Sequence, residues 1–290
     1  MPYKSIFHAG LFAGQTIIVT GGGSGIGRCT AHELASLGAQ VVIWGRKQEK
    51  LEAVKAEIVE DGGLCSFDVC DIREESQVVA ALDAVLTRHG RIDGLVNNAG
   101  GQFRAPMEAV STKGFESVVR NNLTGGFVVM REAYLRWMKA HGGAIVNIIA
   151  DMWNGWPDYG HSGAARGGML TLSETAACEW AASGVRVNTV APGGVASSGF
   201  DTYTPEAKAK ILEYPPTVPL QRYGTESEVA AAIVFLLSPA AAYITGSCIR
   251  VDGGAPNARG TWKLQPHSNS RPFMAFHRAV EPEMLKSQAA

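Results

Sequence analysis

The chain has 290 residues and a formal net charge of −1, with 46% hydrophobic and 18% charged residues. This composition is typical of a folded globular protein; it excludes a disordered chain and gives no basic surface for nucleic acid. No apolar run approaches the roughly 20 residues that a membrane-spanning helix needs. The five cysteines are scattered and form no Cys-x-x-Cys pair, which favours reduced thiols and a cytoplasmic protein.

Apolar runs of strand length alternate with helix-length periodic segments over most of the chain. The predicted strands cover residues 15–20, 40–44, 64–67, 93–96, 144–149, 185–190 and 247–251. The predicted helices cover residues 25–37, 47–60, 74–89, 120–140, 163–183 and 225–237. This alternation predicts a single-domain α/β fold, in which about seven parallel strands form a doubly wound sheet with helices on both faces.

Two segments fall outside the alternation. Residues 196–223 contain four prolines and are long for a connection, so we expect a substrate loop that covers a binding site. Residues 256–290 are irregular, and Phe273, Met274 and Phe276 indicate that they pack on another surface, such as that of a neighbouring subunit. We therefore predict a domain over residues 1–255 and a C-terminal extension after it.

A glycine-rich turn follows the first predicted strand. Residues 15–27 read QTIIVTGGGSGIG, which combines a strand, a tight turn and the start of a helix. Glycines let the backbone approach a pyrophosphate, and the helix N-terminus stabilises its negative charge. The residues predicted to bind a dinucleotide here are Gly21, Gly23, Ser24, Gly25, Ile26 and Gly27.

The end of the second strand selects the dinucleotide. A site for NAD carries an acidic residue about 20 residues beyond the glycines, where it binds the ribose hydroxyls. This chain has no acid there, and Arg46 and Lys47 follow the strand instead. Their cations suit a 2′-phosphate, so the sequence favours NADP(H).

Several segments together resemble the short-chain dehydrogenase/reductase superfamily. They are TGGGSGIG at 20–27, NNAG at 97–100, RVN at 186–188, APG at 191–193, ITG at 244–246 and DGG at 252–254. The resemblance implies a Rossmann-type domain and a homo-oligomer, dimer or tetramer, that associates through the helices near 120–140 and 163–183. It also implies further cofactor contacts: Asp68 and Val69 at the adenine, Asn98, Ala99 and Gly100 after the fourth strand, and Pro192, Gly193 and Val195 at the nicotinamide.

The catalytic positions of this superfamily are occupied differently here. Its members usually carry a Ser, a Tyr-x-x-x-Lys motif whose Tyr exchanges a proton with a carbonyl, and an Asn on an earlier helix. Aligned on Glu179 and the RVN segment, the Tyr position holds Ser162 and the Lys position holds Arg166. Asn122 matches the Asn position, and the upstream Ser position falls near Ile149. Because serine is a weak acid and arginine keeps its proton, the usual carbonyl chemistry is not expected.

Enoyl-CoA and dienoyl-CoA reductases of the superfamily do without this tyrosine. HSGAARG at 161–167 is similar to peroxisomal trans-2-enoyl-CoA reductases, and it includes the substituted positions themselves. NNAGGQF at 97–103 puts Gln102 where dienoyl-CoA reductases have an amide that binds the thioester oxygen. The proton-donating Tyr of the latter maps near Asp151, which is a departure. The resemblance thus implies NADPH-dependent reduction of a 2-enoyl or 2,4-dienoyl thioester in fatty acid metabolism.

The residues fit that reaction, in which negative charge develops on the thioester oxygen. The candidate hydrogen-bond donors for this oxygen are Gln102, Ser162 and Arg166, and Asp151 is the candidate acid. Two alternatives stay open. Tyr159, three residues before Ser162, would supply the acid of a carbonyl reductase or 3-hydroxyacyl dehydrogenase, although Gly163 and not a basic residue follows it four positions on. A catalytically silent NADP-binding protein would bind the cofactor without turnover. No spacing of acidic residues and histidines predicts a metal site.

Overall fold

A computed structural model describes residues 3–197, 200 and 211–286. Its strands are β1 (Thr16–Thr20), β2 (Gln40–Gly45), β3 (Leu64–Val69), β4 (Gly94–Asn97), β5 (Gly143–Ile148), β6 (Val185–Pro192) and β7 (Cys248–Val251). They pair in parallel in the order β3-β2-β1-β4-β5-β6-β7. The predicted doubly wound sheet of seven parallel strands is therefore confirmed.

Helices cover the sheet on both faces, and one short helix follows the last strand. They are α1 (Gly25–Ser36), α2 (Gln48–Glu60), α3 (Glu75–His89), α4 (Thr112–Val119), α5 (Gly125–Ala133), α6 (Lys139–His141), α7 (Gly160–Glu179), α8 (Glu226–Leu237) and α9 (Glu283–Lys286). No helix among the described residues is long and apolar enough to cross a membrane.

The predicted helix at 120–140 begins too late. The structure has one continuous helical rod, in which the π-helical turns Arg120–Thr124 and Tyr134–Met138 join α4, α5 and α6. The rod begins at α4 because the Ser111 hydroxyl caps it and accepts a hydrogen bond from Gly114 N at 3.1 Å. The sequence pattern missed α4, although Ser111 is a typical N-cap residue; most side chains of this eight-residue helix are exposed.

The core forms two layers because side chains along a strand point alternately to opposite faces of the sheet. On β1, Ile17 and Val19 pack with α1, α2 and α8, whereas Ile18 packs with α3, α5 and α7. All three side chains are at most 1% exposed. Both faces of the sheet are therefore covered, and the carboxyl ends of the strands are left at one edge.

The C-terminal extension packs on its own domain. Phe276 and Ala275 are buried against Tyr3, Cys29 and Ala230, which joins both ends of the described chain to α1 and α8. The Arg278 guanidinium also pairs with the Asp61 carboxylate at 2.9 Å just after α2. The predicted packing of Phe276 therefore occurs within one chain, whereas the Met274 side chain is 63% exposed.

Residues 198–199 and 201–210 of the predicted substrate loop, residues 196–223, lie outside the described residues. Its described part includes a 3-10 turn at Pro215–Thr217. Tyr214, just before this turn, accepts a hydrogen bond at its hydroxyl from Gly194 N at 3.1 Å. This contact ties the end of the loop to the segment after β6.

Glu33 is a buried carboxyl group on α1. Its side chain accepts hydrogen bonds from the Tyr3 hydroxyl at 3.1 Å and the Ser5 hydroxyl at 2.9 Å. Burial nevertheless raises the pKa of Glu33 to about 7, since removal from water disfavours the charged form. The folded chain therefore holds a proton here at a pH where the unfolded chain has released it.

We expect the Glu33→Gln variant to have a flatter dependence of stability on pH. Between the ordinary Glu pKa of about 4.3 and about 7, the wild-type folded state binds more protons than the unfolded state, so its free energy of unfolding falls as pH rises. At pH 8 the variant should be more stable by roughly 1–3 kcal/mol. Urea unfolding at a series of pH values measures this, with the exposed Glu49→Gln variant as the control. Parallel curves for Glu33→Gln and wild type would contradict the expectation.

Candidate active site

A cleft opens at the carboxyl edge of the sheet between β1 and β4. The Thr20 hydroxyl, at the end of β1, accepts hydrogen bonds from the backbone N–H of Asn98 at 3.0 Å and of Ala99 at 2.9 Å. The Asn98 amide in turn donates to Thr20 O at 3.0 Å. These bonds lock the glycine turn to the end of β4 at the point where the strand order reverses, which is where open α/β sheets bind their ligands.

The glycine turn is too tight for side chains. A Cβ atom on Gly27 would lie 2.4 Å from Gly21 O, and Gly21 itself has a φ of +68°. Ser24 precedes α1 in an extended conformation and makes no capping hydrogen bond with its side chain. The first N–H groups of α1 therefore keep their capacity to bind an anion, which fits the pyrophosphate of a dinucleotide.

A cavity of about 230 Å³ extends from this turn over the end of β2. Its lining residues are Gly21, Gly23, Ser24, Trp44, Gly45, Arg46, Lys47, Lys50, Leu51, Cys70, Asp71, Ile72, Ala99, Gly100 and Asn121. Seven of the residues that the sequence assigns to the cofactor line this one cavity: Gly21, Gly23, Ser24, Arg46, Lys47, Ala99 and Gly100. No motif in the sequence includes Lys50. Its spacing of three residues from Lys47, at the start of a helix, places both side chains on the same side of that helix.

Asp68 and Val69 do not line this cavity, and their contact with the adenine stays a prediction. The predicted strand ends at residue 67, but β3 continues to Val69. The Asp68 carboxylate there pairs with the Arg88 guanidinium of α3 at 2.6 Å. The wall after β3 is formed instead by Cys70–Ile72, where the Arg73 guanidinium, hydrogen-bonded to the Asp71 carboxyl, lowers the pKa of Asp71.

Asn122 lies in the π-helical turn that precedes α5, and it is buried. Its side-chain amide accepts a hydrogen bond from Gly101 N and donates one to Gly101 O, both at 2.9 Å. The π-helical turn thus presents Asn122 to the backbone of the segment after β4. Asn122 holds the residue next to Gln102.

Arg166 is buried in the second turn of α7. Its guanidinium donates to Ile148 O at the end of β5 at 2.5 Å and to Asn122 Oδ1 at 3.4 Å. Burial lowers the pKa of Arg166 to about 10, so the group stays charged at neutral pH. Its Nε atom has no hydrogen-bond partner among the described residues, which leaves a buried donor that fits a hydroxyl of a bound nucleotide.

Ser162 lies one turn before Arg166 and is fully buried. Its hydroxyl donates a hydrogen bond to Gln102 Oε1 at 2.9 Å. Four of the predicted catalytic residues, Gln102, Asn122, Ser162 and Arg166, are therefore joined in one hydrogen-bonded network that runs through Gly101.

Asp151 and Tyr159 lie near the two ends of the connection between β5 and α7. Asp151 follows β5, and its backbone N–H donates to Pro192 O at 2.9 Å, so it lies beside the end of β6. Burial, and then the negative charge of Asp252, raise the pKa of Asp151. Tyr159 immediately precedes α7, and its ring lies 4.9 Å from the ring of Trp156 between centroids.

The segment after β6 forms the remaining side of the cleft. Gly193 N donates to Val251 O at 3.0 Å, and a Cβ atom on Gly193 would lie 2.7 Å from Asp252 Cα. Val195 forms an isolated bridge with Gly224. Asp252 was not singled out from the sequence as a site residue, because only the pairing of β6 with β7 brings it near Asp151.

Comparison with known proteins agrees with this architecture. The family model described as "Enoyl-(Acyl carrier protein) reductase" matches residues 21–256. The chain is 37% identical over 255 residues to a peroxisomal 2,4-dienoyl-CoA reductase of Danio rerio, covering 87% of this chain and 85% of that protein. It is 36% identical to a probable 2,4-dienoyl-CoA reductase of Bacillus subtilis, covering 83% of this chain and 96% of that protein.

Among solved structures, a citronellol catabolism dehydrogenase of Pseudomonas aeruginosa is 57% identical, with a TM-score of 0.79 over 88% of this chain and 100% of that one. The chain therefore belongs to the short-chain dehydrogenase/reductase family, an oxidoreductase family that uses nicotinamide cofactors. Within that family it is similar both to dienoyl-CoA reductases and to this dehydrogenase.

The Gly27→Ala variant should lose most of its affinity for a dinucleotide. The added methyl group would lie 2.4 Å from Gly21 O, so the backbone that faces the pyrophosphate must shift. We expect the Kd to rise about tenfold or more, which corresponds to at least about 1.4 kcal/mol. Fluorescence titration with NADPH and NADH measures it. The control is Gly260→Ala, where a Cβ atom meets nothing within 4 Å; an unchanged Kd for Gly27→Ala would show that the turn does not contact the ligand.

Proposed function

We propose that this protein is an NADPH-dependent reductase of thioesters, which transfers a hydride to the β-carbon of a 2-enoyl ester or to the δ-carbon of a 2,4-dienoyl ester. The observation that carries the proposal is the hydrogen bond from Ser162 to Gln102, made at the position where the superfamily usually has its catalytic tyrosine. An amide donor is held at the site in place of a phenol acid. The similarity to dienoyl-CoA reductases supports the same chemistry.

Arg166 explains why a carbonyl mechanism of the usual kind is disfavoured. The usual lysine lowers the pKa of a tyrosine, whereas Arg166 lies one turn from a serine and donates to Ile148 O and Asn122. A buried, hydrogen-bonded guanidinium organises its neighbours and does not exchange protons at neutral pH. In this proposal Arg166 fixes the end of β5 and the Asn122 side chain, and its Nε donor is left for a hydroxyl of the cofactor.

Stabilisation of the thioester oxygen falls to Gln102 in this proposal. A bound reduced nicotinamide supplies the hydride. As negative charge develops on the thioester oxygen, the Gln102 side-chain N–H groups donate to it, and a donor that is already fixed needs no reorganisation during the reaction. Asn122 holds the preceding residue, Gly101, by both its backbone N–H and its carbonyl.

Asp151 is the proposed source of the proton for the α-carbon. Burial and the neighbouring Asp252 carboxylate raise its pKa, which increases the fraction that is protonated near neutral pH. A carboxylic acid in such a place is suited to general acid catalysis, directly or through one water molecule.

We propose NADP(H) as the cofactor on the basis of three cations. Arg46, Lys47 and Lys50 line the cavity at the end of β2, where a 2′-phosphate would accept charge-assisted hydrogen bonds. A cytoplasmic location is likewise a proposal, supported by five free cysteines. So is association as a dimer or tetramer along the helical rod α4–α6, where Phe115 and Leu135 are exposed.

Oxidation of an alcohol, or reduction of a carbonyl, is the second candidate. It is favoured by the 57% identity to a citronellol catabolism dehydrogenase. Tyr159 would then supply the acid from the residue just before α7. This candidate predicts turnover of ketones or alcohols that Tyr159→Phe abolishes.

We expect the wild-type protein to oxidise NADPH with a 2-enoyl-CoA or 2,4-dienoyl-CoA ester and not with a 3-oxoacyl-CoA ester. The Gln102→Ala variant should lower kcat by about 10²–10³-fold, the loss typical of one oxyanion donor. Absorbance at 340 nm measures both, and Gln265→Ala in the exposed extension is the control. Equal turnover of enoyl esters by the wild type and Gln102→Ala would remove Gln102 from the mechanism. Cofactor binding without turnover of any ester would favour the second candidate or a silent protein.

The combined Arg46→Ala and Lys50→Ala variant should discriminate less between the two dinucleotides. Loss of two cations that face a 2′-phosphate should raise the KM for NADPH about tenfold or more, while the KM for NADH stays within about twofold. Steady-state kinetics with each cofactor measures this, and Lys113→Ala on α4 serves as a control for charge. An equal rise for both cofactors would mean that these cations do not bind the 2′-phosphate.

A further inference from the structure

The first turn of α7 is fastened to the loop that carries Gln102. Four contacts join the two segments, and later residues of one segment pair with earlier residues of the other. The Ser162 hydroxyl donates to Gln102 Oε1 at 2.9 Å, and the ring centroids of His161 and Phe103 lie 4.4 Å apart. The Asp158 carboxylate pairs with the Arg104 guanidinium at 2.6 Å, and Asp158 O accepts a hydrogen bond from Ala105 N at 3.0 Å. Ser162 is the buried end of this series. Its contact reaches the functional group of Gln102, whereas the Asp158 contacts involve the neighbouring residues Arg104 and Ala105.

The Ser162 hydroxyl and the Gln102 amide differ in how many N–H or O–H donors they have, and this decides which of them can bind an oxyanion. A serine hydroxyl has one proton, and that of Ser162 is donated to Gln102 Oε1. It has no second proton for a substrate oxygen. The Gln102 amide accepts this bond at its oxygen, so both of its N–H donors remain for another acceptor.

We propose that Ser162 is a positioning residue that acts through Gln102 and does not itself bind the thioester oxygen. By donating to Oε1, Ser162 fixes which end of the amide faces α7 and leaves the N–H end free for another acceptor. The same bond polarises the amide, which strengthens its N–H groups as donors. This inference rests on the proposed reduction of enoyl thioesters.

Ser162 and Gln102 then act as one unit in the transition state. Removing Ser162 frees the amide to rotate, so kcat falls while the KM for the thioester changes little, since the bond matters most when charge develops. Once Gln102 is absent, Ser162 has nothing left to position. Its further removal then has no effect on kcat. A serine that contacted the substrate directly would contribute with or without Gln102.

The test is a kinetic double-mutant cycle with a trans-2-enoyl-CoA ester and NADPH. We expect Ser162→Ala to lower kcat about tenfold and Gln102→Ala to lower it about 10²–10³-fold. The Ser162→Ala/Gln102→Ala double variant should match Gln102→Ala within about twofold. Gln102→Glu keeps an acceptor for the Ser162 hydroxyl but has no N–H donor, so its loss of kcat should be at least as large as that of Gln102→Ala.

Controls distinguish loss of folding, failure of this inference and failure of the proposed function. Unchanged NADPH affinity shows that each variant is folded, and Ser268→Ala in the exposed extension should behave as wild type. If the wild type reduces enoyl esters but the two single losses multiply in the double variant, Ser162 contacts substrate and this proposal is wrong, while the proposed function stands. If Gln102→Glu keeps wild-type kcat, the amide donors are not used and the proposal also fails. If the wild type reduces no enoyl ester, the proposed function and this inference both fail.

Discussion

The buried charge of Arg166 is the constraint on which the active site depends. A guanidinium without water is stable only if its donors find acceptors, and those available here are Ile148 O and the Asn122 side chain. The group also prevents a side chain at position 100, where a Cβ atom would lie 2.4 Å from Arg166 Nη2. One charged group thus fixes the end of β5, the π-helical turn and the backbone after β4 relative to one another.

The rest of the site follows from that arrangement. Asn122 is held by Arg166 and holds Gly101 in turn, and the next residue, Gln102, is held by Ser162. Each side chain in this series is hydrogen-bonded to its neighbour in the series, which favours a single geometry over several. Such a site is suited to stabilising charge on a substrate oxygen at a fixed place. In the proposed reduction, the acid would be Asp151, which lies outside this series.

The two ends of the described chain stabilise the first two helices from the outside. Tyr3 and Phe276 pack together against α1, with ring centroids 5.8 Å apart, and Arg278 pairs with Asp61 beyond α2. These contacts cover the outer side of the helix whose N-terminus faces the cofactor cavity. The extension therefore supports the cofactor side of the molecule.

The sequence by itself determined the succession of strands and helices along the chain, the glycine turn, the cations after β2 and the identity of the residues on α7. These features depend on local periodicity and on motifs whose residues are close together in the chain. Only the tertiary structure decided which of those residues touch. Ser162 and Gln102 are 60 positions apart, and Asp252 approaches Asp151 only through strand pairing. The position of Asp71 at the cavity wall also depends on how far β3 extends beside β2. Contacts of this kind arise from packing between distant elements, and no local pattern in the chain encodes them.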